Sequence, residues 1–257
     1  MRDESMASVT LVRHATLLLD VDGTRLLVDP MLSDAGANPP IEGSSNDRRN
    51  PLVDLPADTD WDGEFEDVDA MVVTHLHQDH LDDPARERFG DADLPVFCQP
   101  EDESSLAETF DDVRVVEEEA SFDGLTLTRT PARHGHGEWA ERMAPVCGFV
   151  VGTDDERVYL AGDTVWYDAV EATLDDHDPT AVVVNAGAAQ FTESRPITMA
   201  AEDVAEVCDH TDAPIVAVHM EAINHCLLTR DDLTDALAEA DHAEQVTIPD
   251  DGETVEL

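Results

Sequence analysis

Thr74-His75-Leu76-His77-Gln78-Asp79-His80-Leu81-Asp82 is the stretch on which the reading of the whole chain turns. It follows Asp69-Ala70-Met71-Val72-Val73, a short apolar run of the kind that forms a buried strand. Three imidazoles and a carboxylate therefore fall together where a strand ends. His75 and His77 are two apart, so extended backbone projects them to one side. Asp79 and His80 follow once the chain has begun to turn, and reach a second point nearby. Neutral imidazole and carboxylate are the ligands preferred by borderline divalent metals such as zinc. A polar loop that merely happens to hold these histidines is the weaker explanation in a chain with 11 His in all. The stretch is read as a metal site.

At 257 residues, 42% of them hydrophobic, the chain can bury a substantial core and reads as one domain over residues 1–257. Its formal net charge is -46, and all 14 basic residues are arginine. Such a chain repels itself in dilute buffer, whereas molar salt shortens the Debye length to about 3 Å and screens the repulsion. The charge thus points to a salt-accumulating cytoplasm. It argues against non-specific nucleic-acid binding, which needs clustered Lys and Arg. A small-molecule substrate, an anionic one included, stays open because a metal site brings its own positive charge. Met1-Arg2-Asp3-Glu4-Ser5 leads into a strand-like run without a signal peptide's apolar core. No apolar stretch reaches the ~18 residues of a membrane span. Cys98, Cys147, Cys208 and Cys226 form no CxxC pair and are expected to be free thiols in a cytoplasmic protein.

Residues 9–20 and 24–29 are apolar runs on either side of Asp22-Gly23, a hairpin signal. His14 lies inside the first run, where a hydrogen-bonded core or rim histidine is slightly favoured over a substrate contact. Residues 30–66, rich in Pro, Asp, Gly and Asn, are longer than an idle connection and read as a flap over the site. Within them Arg48 and Arg49 either meet an anion or are solvated. Residues 81–89 and 102–110 read as helices, and 94–98, 113–116 and 125–130 as strands. The last runs into Pro131-Ala132-Arg133-His134-Gly135-His136-Gly137. His134 is nearer the strand exit and is preferred to His136 as a ligand, while Arg133 should point away. Residues 146–152 and 158–161 are further strands, the second running into Gly162-Asp163-Thr164. Taken alone, Asp163 reads equally as a helix N-cap or as a ligand with one oxygen for each of two cations. Its place among the strand-end groups favours the ligand. Residues 180–184 and 213–218 are strands, the latter delivering His219. Residues 198–210 and a segment from Thr229 read as helices, with 246–248 a last edge strand.

His75-x-His77-x-Asp79-His80, followed by His134, Asp163 and His219, each at a strand exit, resembles the metal-ligand signature of the metallo-β-lactamase superfamily over essentially the whole chain. The resemblance implies an α+β fold, an αβ/βα four-layer sandwich of two mixed β-sheets flanked by helices. The elements alone support only α/β or α+β. It further implies that His75, His77 and His134 hold one metal, that Asp79, His80 and His219 hold a second, and that Asp163 bridges them. The phrases around His134, Asp163 and His219-Met220-Glu221-Ala222-Ile223-Asn224-His225 look most like one branch. That branch contains ascorbate-6-phosphate-lactonase-like and N-acylphosphatidylethanolamine phospholipase D-like hydrolases.

Two divalent ions at such a site, Zn2+ ahead of Mn2+ or Fe, would share a hydroxide able to attack a carbonyl or phosphoryl centre. The expected activity is hydrolysis of an ester, lactone or phosphodiester, with Asp79 in the catalytic set and His225 giving a proton to the leaving group. A ligand-orienting role for His225 is nearly as well supported. Cys226 is read as structural. A mononuclear iron persulfide dioxygenase-like oxidoreductase shares the first His-rich run but leaves the complete second set unexplained. A flavodiiron enzyme would carry Glu in place of His77. A non-catalytic metal-binding protein would be expected to close its sites with four ligands.

Overall fold

The structure, a computed structural model, describes residues 7–257, so the reading of Met1 to Ser5 lies outside the described residues. Two mixed seven-stranded sheets lie face to face. The first holds β1 (Ser8–Arg13), β2 (Thr16–Val21), β3 (Thr24–Val28), β4 (Ala70–Val73), β5 (Val96–Cys98) and β6 (Val113–Val115) in chain order. The second runs, again in order, through β7 (Glu119–Phe122), β8 (Leu125–Pro131), β9 (Cys147–Gly152), β10 (Arg157–Leu160), β11 (Ala181–Asn185), β12 (Ile215–Val218) and β13 (Val246–Thr247). A C-terminal strand, β14 (Thr254–Glu256), returns to pair with β1 and completes the first sheet. In each sheet the early strands are antiparallel, and the run from β3 to β6, or from β10 to β13, is parallel.

The central parallel strands β4, β5, β11 and β12 are buried along their whole length because both faces are covered. In β4, Ala70 and Val72 enter the core between the sheets, while Met71 and Val73 pack under the outer helices. Those helices are α1 (Trp61–Glu66), α2 (Asp83–Phe89) and α3 (Glu103–Leu106), which contribute Trp61, Phe65, Phe89 and Leu106. In the second sheet Val158 and Leu160 face inward, and Tyr159 faces α5 (Asp168–His177), α6 (Ala201–His210) and α7 (Arg230–Glu239). Each fully buried Val or Leu contributes roughly 1.5–3 kcal/mol. The layers therefore follow as helices, sheet, sheet, helices. The short α4 (Glu138–Met143) buries none of its residues.

Local signals explain the helix starts. Asp82 caps α2, accepting from the Ala85 amide at 3.0 Å with Pro84 in the first turn. Thr229 caps α7 by accepting from the Asp232 amide. Several expectations need correction. Residues 9–20 are not one strand: the chain reverses at His14-Ala15, with His14 at φ 62. The helix placed at 102–110 is limited to Glu103–Leu106 after a 3-10 turn at Pro100–Asp102. Asp163 is no helix cap, since α5 begins at Asp168 behind Tyr167. The helix α1, the edge strands β7 and β14, and α4 carry too weak a pattern to have been expected. Among the described residues no helix is long and apolar enough to cross a membrane. All four cysteines are free.

Candidate metal centre

Strands β1, β3 and β4 of the first sheet, and β8, β10, β11 and β12 of the second, end on the same rim of the sandwich. Their exits deliver His14, Asp29, Thr74-His75, His134, Asp163, Asn185 and His219 in turn. Several backbones bend sharply there, with positive φ at His14, Asp29 and His219. Left-handed backbone at non-glycine residues is costly and collects at functional sites. Glycines admit the close approaches. A Cβ on Gly162, itself at φ +65, would meet the Cys147 carbonyl at 2.6 Å, and one on Gly187 would meet that of His219 at 2.2 Å.

Six imidazoles and two carboxylates converge there in two groups, His75 with His77, His134 and Asp163, and His14 with Asp79, His80 and His219. Within each group the ligand atoms lie within 4.8 Å of one another. Asp163 reaches both. Its Oδ2 is 3.2 Å from His134 Nε2, 3.4 Å from His80 Nε2 and 3.8 Å from His75 Nε2, and its Oδ1 is 3.3 Å from His219 Nε2. The structure thus brings together His75, His77, Asp79, His80, His134, Asp163 and His219, and adds His14. His136, the rival to His134, lies in neither group.

The groups behind the rings fix their protons. His80 Nδ1 lies 2.8 Å from Asp29 Oδ2, and His134 Nδ1 lies 2.8 Å from the Ile197 carbonyl. Both oxygens only accept, so the hydrogen sits on Nδ1 and Nε2 presents a lone pair. The Thr74 hydroxyl donates to Asp29 at 2.6 Å, which leaves its oxygen to accept from His75 Nδ1 at 3.0 Å. The Nε2 atoms of His80 and His219 then face each other at 3.3 Å. Asn185 steadies Asp163 by donating to Oδ1 at 2.7 Å. Carboxylates or carbonyls behind metal-binding imidazoles are the arrangement that orients such ligands.

Charge states agree with this at His75, His77 and His219, whereas His80 with no cation bound is drawn toward the imidazolium, which carries a hydrogen on Nε2 as well. Burial pushes His75, His77 and His219 below the ordinary imidazole value, while Asp163 and Asp29 overcome burial and push His80 above it. Asp79 and Asp163 stay well below the carboxylate range despite burial, Asp79 chiefly through its hydrogen bond to His14 and Asp163 through His219, His80 and His134. Ionised carboxylates and mostly neutral rings form a donor set suited to borderline divalent cations.

A cavity of about 200 Å³ opens above the two groups, walled by Met31, Pro39, Ile41, Met143, Phe191, Ile197 and Ile223. Residues 31–50 of the flap do form part of its roof. Asn224 holds them, with Oδ1 accepting from the Ile41 amide at 3.1 Å and from Asn50 Nδ2 at 2.9 Å. Arg48 and Arg49 do not line the cavity; Arg49 donates to the Gly36 and Ala37 carbonyls of its own loop. Arg133 lies over the Tyr167 ring at 4.3 Å and away from the rim, as expected. His225 lines the cavity, stacked on Phe191 at 5.6 Å and 13°, and Phe191 stacks in turn on Trp139 at 4.6 Å. Burial pushes its ring down to about 4. The expected proton donor is therefore a neutral imidazole with a single N–H, a weaker acid than an imidazolium.

Sequence reasoning missed most of the supporting residues. His14 is the hydrogen-bonded rim histidine favoured from sequence, at a turn and not inside a strand, whereas Asp29, Asn185 and Asn224 carry no local motif. Only the shared rim of strand exits could have pointed to Asp29 and Asn185.

Residues 24–220 match the family described as the beta-lactamase superfamily domain. The UPF0173 protein YddR of Bacillus subtilis is 38% identical over 255 residues, covering 96% of this chain and 98% of its own. A crystal structure of a possible metal-dependent hydrolase from Veillonella parvula superposes with a TM-score of 0.93 at 34% identity, covering 98% of this chain and 100% of that one. An isothiocyanate hydrolase from Delia radicum gut bacteria is similar at a TM-score of 0.90 and 36% identity, covering 97% and 99%. The chain belongs to the metallo-β-lactamase superfamily. It has the superfamily's fold, and its relatives include proteins named metal-dependent hydrolases.

Proposed function

We propose that the chain is a hydrolase that holds two divalent cations, zinc ahead of manganese or iron, and cleaves a small uncharged substrate such as an ester or lactone. The observation that carries this reading is the pair of buried His/Asp groups, joined by Asp163, at the floor of an apolar cavity. Bound there, the cations supply an activated water and a Lewis acid for the substrate. Asp163 and Asp79 offset their charge, and the apolar wall excludes bulk water from the reacting bond. His225 donates a hydrogen bond from its N–H to the leaving atom, and the activated water supplies the proton. Of the bonds considered from sequence, a phosphodiester fits least. Among the described residues no arginine lines the cavity, so a phosphate would meet the cations and neutral polar groups such as Asn38 and Gln78 but no charged side-chain donor.

A second substrate reading is favoured by one observation, the 36% identity to an isothiocyanate hydrolase. An isothiocyanate is small, uncharged and electrophilic at carbon, so the same apolar cavity suits it. Metal content per chain, followed by a panel of esters, lactones, phosphodiesters and isothiocyanates, tests both readings. Two cations with turnover of an uncharged substrate supports the proposal. A single tightly held iron, unaffected by substitution of His80 or His219, would replace it with the oxygenase. The net charge of -46 makes a salt-rich cytoplasm the proposed setting. A melting temperature that rises from salt-free to molar KCl is expected, and an unchanged one removes that setting.

A further inference from the structure

We propose that His14 is a positioning residue for the second cation site: it holds the Asp79 carboxylate in place by a hydrogen bond and does not itself bind a cation. The proposal rests on the two-cation reading above. It starts from the proton on the ring. In His75, His80 and His134 an acceptor behind the ring claims the Nδ1 hydrogen, so Nε2 is a lone pair. His14 is the opposite case. Its Nδ1 is buried and meets no partner, while its Nε2 lies 3.1 Å from Asp79 Oδ2. A carboxylate oxygen only accepts, so the hydrogen belongs on Nε2. A nitrogen that carries a hydrogen has no lone pair to offer a cation.

Ligand count points the same way. Asp79, His80, His219 and Asp163 already give the second site four protein groups. His75, His77, His134 and the same Asp163 give the first site an equal number, so the second matches it without His14. The rest of the His14 environment serves to keep the ring still. It is fully buried, its ring lies 3.7 Å from that of His219 at 35°, and its carbonyl accepts from the His219 amide at 2.9 Å. The turn that presents it has φ 62, a conformation uncommon outside glycine that histidine adopts more readily than most residues.

The test compares His14→Ala and His14→Gln with the wild type, measuring cations per chain and the release of each to a competing chelator. His14→Ala should retain one cation normally and release the other about 10- to 100-fold more readily. His14→Gln, whose amide N–H can meet the same oxygen, should recover part of that loss. In an Asp79→Ala background, His14→Ala should add nothing further, because its partner is already gone. The proposal is overturned if His14→Ala keeps both cations at wild-type affinity. It is also overturned if the substitution weakens the second cation equally with or without Asp79, which would make His14 a ligand. Parallel loss of both cations with a lower melting temperature of the metal-free protein would make His14 merely structural. A wild-type chain holding fewer than two cations removes the two-cation reading itself, and is seen before any variant is made.

Discussion

The floor and the roof of the cavity are built by different means. The floor consists of strand exits, and its rings are braced from behind by Asp29, Thr74 and the Ile197 carbonyl. The roof consists of the flap, α4 and the loop carrying Phe191, outside both sheets and with a single antiparallel bridge of its own, Asn38 to Asn50. It is fastened at a few points. Arg13, fully buried, donates to the Met31, Ser33 and Val53 carbonyls at 2.7, 3.0 and 3.0 Å, and Asn224 grips Ile41 and Asn50. The floor is polar and over-determined, whereas the roof is apolar and lightly tied. Chemistry should therefore depend on the floor and substrate choice on the roof. Substitutions in each can break that division.

The largest effect is expected at Asp163, which reaches both groups. Asp163→Ala should cost at least one cation per chain and lower turnover by about a thousandfold or more, since the members of such a set act as a unit. Elemental analysis beside steady-state rates checks both. Full cation content with near-normal rates would dissolve the floor as a unit.

Next is Asp29, one layer behind. It accepts from His80 Nδ1, the Thr74 hydroxyl and the Thr74 amide, so Asp29→Ala frees His80 to change tautomer. Cation affinity should fall about 10- to 100-fold, the usual cost of removing such support. Chelator competition measures it, and an unchanged affinity would mean that the strand exits alone orient the rings.

In the roof, Phe191 separates packing from stacking. Phe191→Leu keeps an apolar wall but loses both ring stacks, while Phe191→Tyr keeps them. We expect the leucine variant to lose up to about tenfold in kcat/KM, consistent with the modest energy of aromatic pairs, with two cations still bound. The tyrosine variant should stay near wild type. Loss of a cation in the leucine variant would show that roof and floor are not separable.

The same division explains what could be read from the chain. The floor's ligands were legible because each follows an apolar run and shares one chemistry, so order and residue type sufficed. Their supports were not, since an aspartate after an apolar strand looks the same whether it faces solvent or, like Asp29, a buried ring. The chain reversal at His14 hid for a different reason. Its turn carries neither glycine nor asparagine, and Val12 and Leu17 on either side continue the apolar run, so periodicity showed one strand instead of two. The roof was visible only as a long polar segment. The helix α1 within it was masked by its acidic composition, and β14 is too short and polar to stand out before β1 supplies its partner.

The smallest expected effect concerns the metal-free protein and tests whether His225 belongs to the buried wall. Its ring is pushed down to about 4, while in the unfolded chain it titrates near 6.5. Between those values the unfolded state binds more protons, so stability rises with pH and is lost as pH falls. From pH 6 to 5 the contribution of His225 is about 1 kcal/mol. His75, His77 and His219 act in the same direction, and His80, pushed upward, acts against them. Asp79 and Asp163 lose their contribution only below the ordinary carboxylate range, while Asp102, Asp203 and Asp251, pushed up by burial, favour the folded state as pH falls. Denaturant unfolding of wild type and His225→Gln at both pH values, with cations removed, isolates the ring. The variant should lose about 1 kcal/mol less than wild type on acidification. Identical pH dependence would place His225 in solvent contact, and the wall around the leaving atom would then be open on that side.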